Sequence, residues 1–317
     1  MRIGIEIMHK IEILLATYNS ERFVEQQLES ILHQSFRDWH LTVQDGGSSD
    51  GTLQILERFR NKYNSKISIL YNASNKLSSK ENFSSLLSKV DSPYYMFCDH
   101  DDVWFKDKIE KTFQFLKYST TTSDRELPLL VFTDSVVTNE NLEVLSESFF
   151  TYQNLNPNKI SLENLLLQNV APGNTMLFNQ ALKQIAAPIP NEAIMHDYWI
   201  MLIACIFGRI YFFDEPTLSY RQHGKNVIGA SKFSFLTTMR KLIKDPNKIS
   251  LSLENQYLQA QTIYNYLGHI MPMSYKKTLE DFLKIRDQDF FNRRLSLIKG
   301  HFFKHGILRN LGLFLFV

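Results

Sequence analysis

The sequence predicts an α/β fold, a mostly parallel central sheet flanked by helices, followed by a helical and basic C-terminal extension. Three observations carry this reading. Short apolar runs ending in turn residues alternate with stretches of helical periodicity over the first two thirds of the chain. Polar and acidic residues fall at the ends of the successive apolar runs, where open α/β sheets bind their ligands. From about Ala230 the pattern changes to helical segments with many lysines and arginines. The expected division is therefore residues 1–230 for the sheet domain and 231–317 for the extension.

The first run, "IEILLATYNS" (11–20), reads as a buried strand that ends in a turn. Ser20 is placed to cap the next helix, with Glu21 in its first turn. Val24, Leu28, Ile31 and Ser35 recur at spacings of four, three and four, which marks the face packed on a sheet. "WHLTVQDGGSSDGT" (39–52) follows as a strand, a glycine and serine turn, and a helix starting near Thr52. "KISILYN" (66–72) and "YYMFCD" (94–99) are further strands, separated by a helix around Asn82–Val90. "LPLLVFTDSVVTN" (127–139) is a strand and turn, "APGNTMLFN" (171–179) a loop feeding a strand, and "MHDYWIMLIACIFG" (195–208) a helix stopped by Gly208. "IYFFDEPTLSYRQHGKN" (210–226) predicts a strand, a proline-marked turn and a second short strand.

Composition bounds the class. At 317 residues, 44% hydrophobic and 21% charged, the chain is an ordinary folded protein with room for a main domain and an appendage. Its formal net charge of +2 excludes no partner class by itself. Cys98 and Cys205 are too few and too far apart for a disulfide framework or a zinc site, which fits a reducing cytosol. "MRIGIEIMHK" lacks the apolar stretch of a signal peptide, and no window reaches the roughly 18 apolar residues of a membrane span. The expected location is cytoplasmic.

The stretch "YYMFCDHDDVWF" (94–105) sets Asp99, His100, Asp101 and Asp102 directly after a buried strand, with no basic residue among them. Like charges crowded at a strand end repel unless something neutralises them. Alternation along an extended chain puts Asp99 and Asp101 on one face and His100 on the other. Two converging carboxylates suit a hard divalent cation, Mg²⁺ or Mn²⁺, whose other positions are filled by water and phosphate oxygens. The bland alternative is a capping turn in which Asp102 caps a helix begun at Val103.

Six motifs in order, "LLATYNSERFVEQQLESILHQSF", "VQDGGSSDGT", "FCDHDDVW", "APGNTMLF", "HDYW" and "YRQHGKN", resemble glycosyltransferase family 2 over about residues 10–230. Within it the chain is similar to the bacterial rhamnosyltransferase-like branch that builds cell-wall polysaccharide, capsule or O-antigen chains. The resemblance implies an inverting, metal-dependent hexosyltransferase of the GT-A (Rossmann-like) fold. It implies that Thr17, Tyr18 and Asn19 line the nucleotide pocket and that Asp45 contacts the base. Lys80 and Asn82 match a segment approaching the nucleotide. Asp99 and Asp101 match the metal and donor motif, and His223 a C-terminal histidine that joins the metal or diphosphate. Gly173 falls in a loop beside the donor sugar, and Asp197 matches the catalytic base. Two positions depart from the pattern: Gly46 follows Asp45 where a second acid is common, and Ser78 stands where a glycine is common.

Such a reaction needs neutralisation of the leaving diphosphate and a base for the incoming hydroxyl. The metal would meet the first need and Asp197 the second, through an oxocarbenium-like transition state. On the residues alone the alternatives are an acid serving only the helix dipole for Asp197 and a polar loop residue for His223. Trp39, Trp104 and Trp199 read as core or pocket-wall residues, and the cysteines as inert.

"FNRRLSLIKGHFFKHGILRNLGLFLFV" (291–317) carries Arg293, Arg294, Lys299, Lys304 and Arg309, interleaved with apolar residues, and no acid. A basic amphipathic segment suits the anionic inner face of a membrane; the alternatives are a core-packed helix and a homodimer interface. The expected partners are a nucleotide-sugar donor, favoured as dTDP-rhamnose, a lipid-linked saccharide acceptor and the inner membrane surface, with no nucleic acid. Two other functions share features with this one. A nucleotidyltransferase acting on sugar phosphates also pairs acids on an α/β sheet, but calls for a glycine-rich basic loop where this chain has "ATYNSERF". A catalytically inactive carbohydrate-binding protein would keep only the fold.

Overall fold

The computed structural model describes residues 10–71, 76–124, 126–224 and 246–317, with side chains of the last segment from residue 250. The first half alternates as expected: β1 Ile11–Thr17, α1 Val24–Leu32, β2 Trp39–Asp45, α2 Thr52–Lys62, β3 Ile67–Leu70, α3 Ser79–Lys89 and β4 Tyr94–Asp99. Next come β5 Val103–Trp104, α4 Lys108–Ser119, β6 Leu129–Thr138, β7 Val144–Ser146, α5 Phe149–Gln153 and α6 Leu162–Leu165. The sheet domain closes with β8 Met176–Asn179, α7 Gln180–Ala186, α8 His196–Phe207 and β9 Arg209–Arg221.

The strands form one sheet in the order β3-β2-β1-β4-β8-β6-β9-β5, with β7 on β6. β3, β2, β1 and β4 run parallel, aligned so that Thr17 lies beside Asp45 and Ala16 beside Asp99. β8 then inserts antiparallel between β4 and β6, so the sheet is mixed in its second half. Every residue of β1 and of β6 is buried, the signature of central strands covered on both faces. Val24, Leu28 and Ile31 of α1 face that core as their spacing requires, and Trp39, Trp104 and Trp199 are core residues. Cys98 is buried, and burial pushes its thiol well up.

Several local expectations are corrected. The helix after β1 starts at Val24 rather than at Ser20, whose carbonyl, not its hydroxyl, receives the Phe23 and Val24 amides. Asp102 caps no helix, because Val103 and Trp104 form β5 and the next helix begins at Lys108. The segment 209–221 is one strand, not two; Pro216 sits opposite Asp134 where the register with β6 shifts, so the proline occupies a bulge. Ser78, a departure from the family pattern, builds a capping box for α3 with Glu81. Gly208 ends α8 where a Cβ would lie 1.8 Å from Pro128 O, so only glycine lets the chain enter β9 there.

The extension contains α9 Pro246–Leu267, α10 Met273–Lys284, α11 Phe290–Lys299 and α12 Ile307–Phe316. Its predicted start at 231 lies outside the described residues. Tyr257, Ile263, Leu279, Phe282, Phe302 and Leu313 join the same apolar core as the sheet. Gln256 Nε2 donates to Leu167 O at 2.6 Å, and Ile194 N donates to Gln259 Oε1 at 2.9 Å. Phe302 and Val317, among the apolar residues of the tail segment 291–317, are buried, which corrects a reading of every apolar residue there as facing a membrane. No helix among the described residues is long and apolar enough to cross a membrane.

Candidate active site

The carboxyl ends of β1 and β4, the turn before β8 and the N-terminus of α8 surround one cavity of about 330 Å³. Thr17, Asn82, Asp99, Asp101, Gly173 and Asp197 line it, together with His100 and His196. β4 stops at Asp99, so strand alternation does not continue and His100 reaches the cavity beside its neighbours. That corrects the expectation of His100 on the opposite face.

Three carboxylates converge here. Burial first, then the charges of Asp101 and Asp197, push Asp99 up to about 8. Burial pushes Asp197 up to about 6, against the Tyr198 and Gly173 amides that hydrogen-bond its carboxylate. Burial also pushes Asp101 upward, but His223 and the charge of His100 draw it below the usual range on balance. His223 Nε2 lies 2.8 Å from Asp101 Oδ2, and its ring stacks on Phe23 with centroids 4.8 Å apart. Three of the groups assigned to a metal are therefore adjacent or aimed into one space.

Among the described residues no group of three or more His, Cys, Asp or Glu side chains is already arranged to hold a metal ion. The donor set nevertheless fits a hard divalent cation. Asp99 and Asp101 are oxygen ligands whose mutual repulsion a cation relieves, and Mg²⁺ commonly takes only one or two carboxylates when phosphate oxygens complete its shell.

The remaining predicted residues are held by contacts within the protein. Asp45 does not line the cavity: its carboxylate accepts from Thr17 Oγ1 at 2.8 Å, from Gly47 N at 2.9 Å and from Ser48 N at 2.7 Å. It organises the β2–α2 turn. Asn19 joins the same turn, accepting from Ser49 N at 2.9 Å with its own φ at 46°. Tyr18 is 41% exposed and is not among the residues that line the cavity. The Lys80 ammonium donates to Asn191 O and, at 2.7 Å, to Ala193 O, so it steadies the loop leading into α8. Asn82 Nδ2 donates to Gln44 O at 2.9 Å, while its Oδ1 has no partner among the described residues.

Sequence reasoning missed a clamp beneath the acids. Asp102 is fully buried, accepting from Asn174 Nδ2 and, at 3.0 Å, from Arg221 N. Arg221 Nε donates to Asp101 O at 2.7 Å and its Nη1 to Glu140 O at 2.6 Å. One side chain thus ties the acidic loop to the Gly173 turn and to the end of β9 that presents His223. The signal was present in "DHDD": a third acid beyond the metal pair, followed by apolar residues. His196 was missed too. Both its ring nitrogens lack partners among the described residues, and burial pushes it down to about 3. It is stacked on Phe83 at 3.9 Å and meets Phe97 edge-on at 4.8 Å. Gly173 is required beside it, since a Cβ there would lie 2.8 Å from His196 Nε2.

Comparison with known proteins agrees with this architecture. Residues 12–125 match the family model of Glycosyl transferase family 2. A dTDP-rhamnosyl transferase, RfbG of Shigella flexneri, is 28% identical over 279 residues, covering 81% of this chain and 91% of the relative. A putative glycosyltransferase, EpsE of Bacillus subtilis, is 33% identical over 108 residues, which is 34% of this chain and 38% of that protein. Among solved structures, S. aureus TarS 1-349 in complex with UDP-GlcNAc superposes with a TM-score of 0.59 at 18% identity, covering 87% of this chain and 72% of that one. The mannosyltransferase PcManGT from Pyrobaculum calidifontis, in complex with GDP-Man and Mn²⁺, gives a TM-score of 0.51 at 10% identity. Over residues 12–125 this chain thus resembles glycosyltransferase family 2, and its mixed sheet with flanking helices is that of the GT-A fold.

Proposed function

We propose that the protein is an inverting glycosyltransferase that moves a sugar from a nucleoside diphosphate to a saccharide hydroxyl in cell-surface polysaccharide synthesis. The observation that carries this is the convergence of Asp99, Asp101 and Asp197 on one cavity, with Asp197 held at about 6. A base in that range is ionised near neutral pH and still a useful proton acceptor. The acceptor hydroxyl gives its proton to the Asp197 carboxylate as it attacks the anomeric carbon, and one displacement inverts the configuration. The Tyr198 amide, 2.6 Å from Asp197 Oδ1, and the Gly173 amide fix the carboxylate's orientation. A divalent cation held by Asp99 and Asp101, with His223 beside them, would supply Lewis-acid neutralisation of the departing diphosphate.

The favoured donor is dTDP-rhamnose, supported by the relative that spans most of this chain, with UDP-hexoses next. The acceptor is a lipid-linked saccharide at the inner face of the cytoplasmic membrane, as in capsule and cell-wall assembly. A thermal-shift panel of dTDP-rhamnose, UDP-GlcNAc, UDP-glucose and GDP-mannose, each with and without Mn²⁺, tests the donor. Binding raises the melting temperature only for ligands of the folded state. Stabilisation by dTDP-rhamnose that needs Mn²⁺, followed by transfer to a saccharide acceptor, is the expected result. No response to any nucleotide sugar would overturn the reading.

A further inference from the structure

Helices α11 and α12 each leave a stripe of large apolar side chains in water. On α11, Phe291, Leu295 and Ile298 are 79%, 46% and 51% exposed. On α12, Ile307, Leu311 and Leu315 are 81%, 50% and 65% exposed. Spacings of four and three residues put each trio on one helical face. The opposite faces are already used, because Leu297 and Leu313 are buried. Arg294 links the two helices: its guanidinium donates to Phe290 O at 2.6 Å and to Leu315 O at 3.5 Å. The stripes are thus the outer faces of helices whose inner faces are anchored in the core.

The charge around them has one sign. From Phe290 to Val317 the chain carries Arg293, Arg294, Lys299, Lys304 and Arg309 and no acid. The preceding acid, Asp289, is engaged in capping the Phe291 and Asn292 amides. Arg309 is turned inward to the carbonyls of Gln153 and Asn154, and burial pushes Lys304 down to about 8. The exposed Lys299 remains to meet a partner, and Arg294, though it links the two helices, keeps its charge beside the stripes. A second copy docking by this same face would set cation against cation. An anionic lipid surface satisfies both features, taking apolar side chains at the acyl boundary and cations at the headgroup phosphates.

We propose that the α11–α12 face docks the protein on an anionic membrane surface, an inference that rests on the lipid-linked acceptor for its purpose but not for its test. The full chain is floated with vesicles of phosphatidylglycerol and phosphatidylcholine, and with phosphatidylcholine alone, from about 50 to about 500 mM salt. The chain is expected to float with the anionic vesicles about tenfold more strongly, and salt should weaken that binding without abolishing it. The triple variant Phe291→Ser, Ile307→Ser, Leu311→Ser should lose flotation about tenfold or more while keeping its melting temperature and its transfer rate to a water-soluble acceptor. Lys299→Glu should reduce only the anionic preference.

Wild-type chain that stays with the protein fraction, or a triple variant that floats like wild type, overturns the proposal. So does a wild-type dimer that the triple variant dissolves without any vesicle binding, which would assign the face to a second copy. Flotation needs no sugar donor, so a failed transfer assay would sink the functional reading and leave this one standing.

Discussion

Asp197→Asn separates the base from every structural role that residue could have. The amide is nearly isosteric, and its oxygen can still accept from the Tyr198 and Gly173 amides that hold the carboxylate now. What it cannot do is take a proton, so kcat should fall by about 10²-fold or more with donor affinity retained. The wild-type rate should also decline as pH drops through about 6, tenfold per pH unit, and the variant's residual rate should lose that limb. The same carboxyl predicts a stability change of opposite sign. Its folded value lies above its ordinary 3.8, so the folded state binds its proton more tightly than the unfolded state. Stability from this group is present below about pH 4 and lost as pH rises through about 6. Moving a carboxyl from 3.8 to about 6 corresponds to about 3 kcal/mol, reduced to about 1–2 kcal/mol because the side chain opens on a solvated cavity. The variant should therefore melt higher than wild type near pH 7, by about 1–3 °C, in a ligand-free sample. Steady-state kinetics across pH and a melting curve read both effects. A kcat near wild type, or an acid limb that persists in the variant, refutes the assignment.

The remaining expectations concern the acids and the turn beside them. Asp101→Ala should abolish turnover and metal-dependent donor binding while the chain stays folded; calorimetric titration of donor with and without Mn²⁺ checks it, and transfer that survives excess chelator would remove the metal from the scheme. Asp102→Leu leaves the Arg221 amide and the Asn174 amide buried without an acceptor, so it should destabilise by about 1–3 kcal/mol for each and lower kcat about tenfold. Denaturant unfolding measures the first effect, and wild-type stability in that variant would refute the clamp. Gly173→Ala drives a methyl to 2.8 Å from His196 Nε2 and 3.3 Å from Asp197 Cβ, and the ring cannot retreat between Phe83 and Phe97. It should reduce kcat by about tenfold or more with a smaller change in donor KM, and a change confined to KM would place the turn's role in binding instead.

The strands and their ends were legible because alternation, turn chemistry and helical spacing are local properties. β1, β2 and β4 end at Thr17, Asp45 and Asp99, where the sequence put them. The antiparallel insertion of β8 was not legible, since "MLFN" carries no mark of direction and its partners lie far away in sequence. Side-chain destinations were harder still. A lysine in a segment expected to approach the nucleotide says nothing of the two backbone carbonyls that the loop before α8 brings to Lys80. Asp102 failed for a related reason. An acid before a helix reads as a cap on local grounds, whereas its actual partners, Asn174 and Arg221, meet it only after the sheet has closed.

The tail shows the limit in its clearest physical form. Leu311–Val317 is apolar on all sides, so periodicity alone cannot say which side faces inward. The fold divides it: Leu313 and Val317 go to the core, and Leu311 and Leu315 to water. The core-packed reading therefore holds for one face of this helix, and the other is an exposed apolar face on which the proposed docking rests. The acid cluster has the same double character. In the ligand-free site Asp99 is pushed up to about 8 by burial and by Asp101 and Asp197, a strain that folding alone would remove by substituting one carboxylate. A cation bound with a diphosphate, as the proposed function requires, would offset that repulsion by setting positive charge against the carboxylates. Under the proposed function, Asp99, the carboxyl that burdens the empty fold most, is one of the groups that would face the donor's cation.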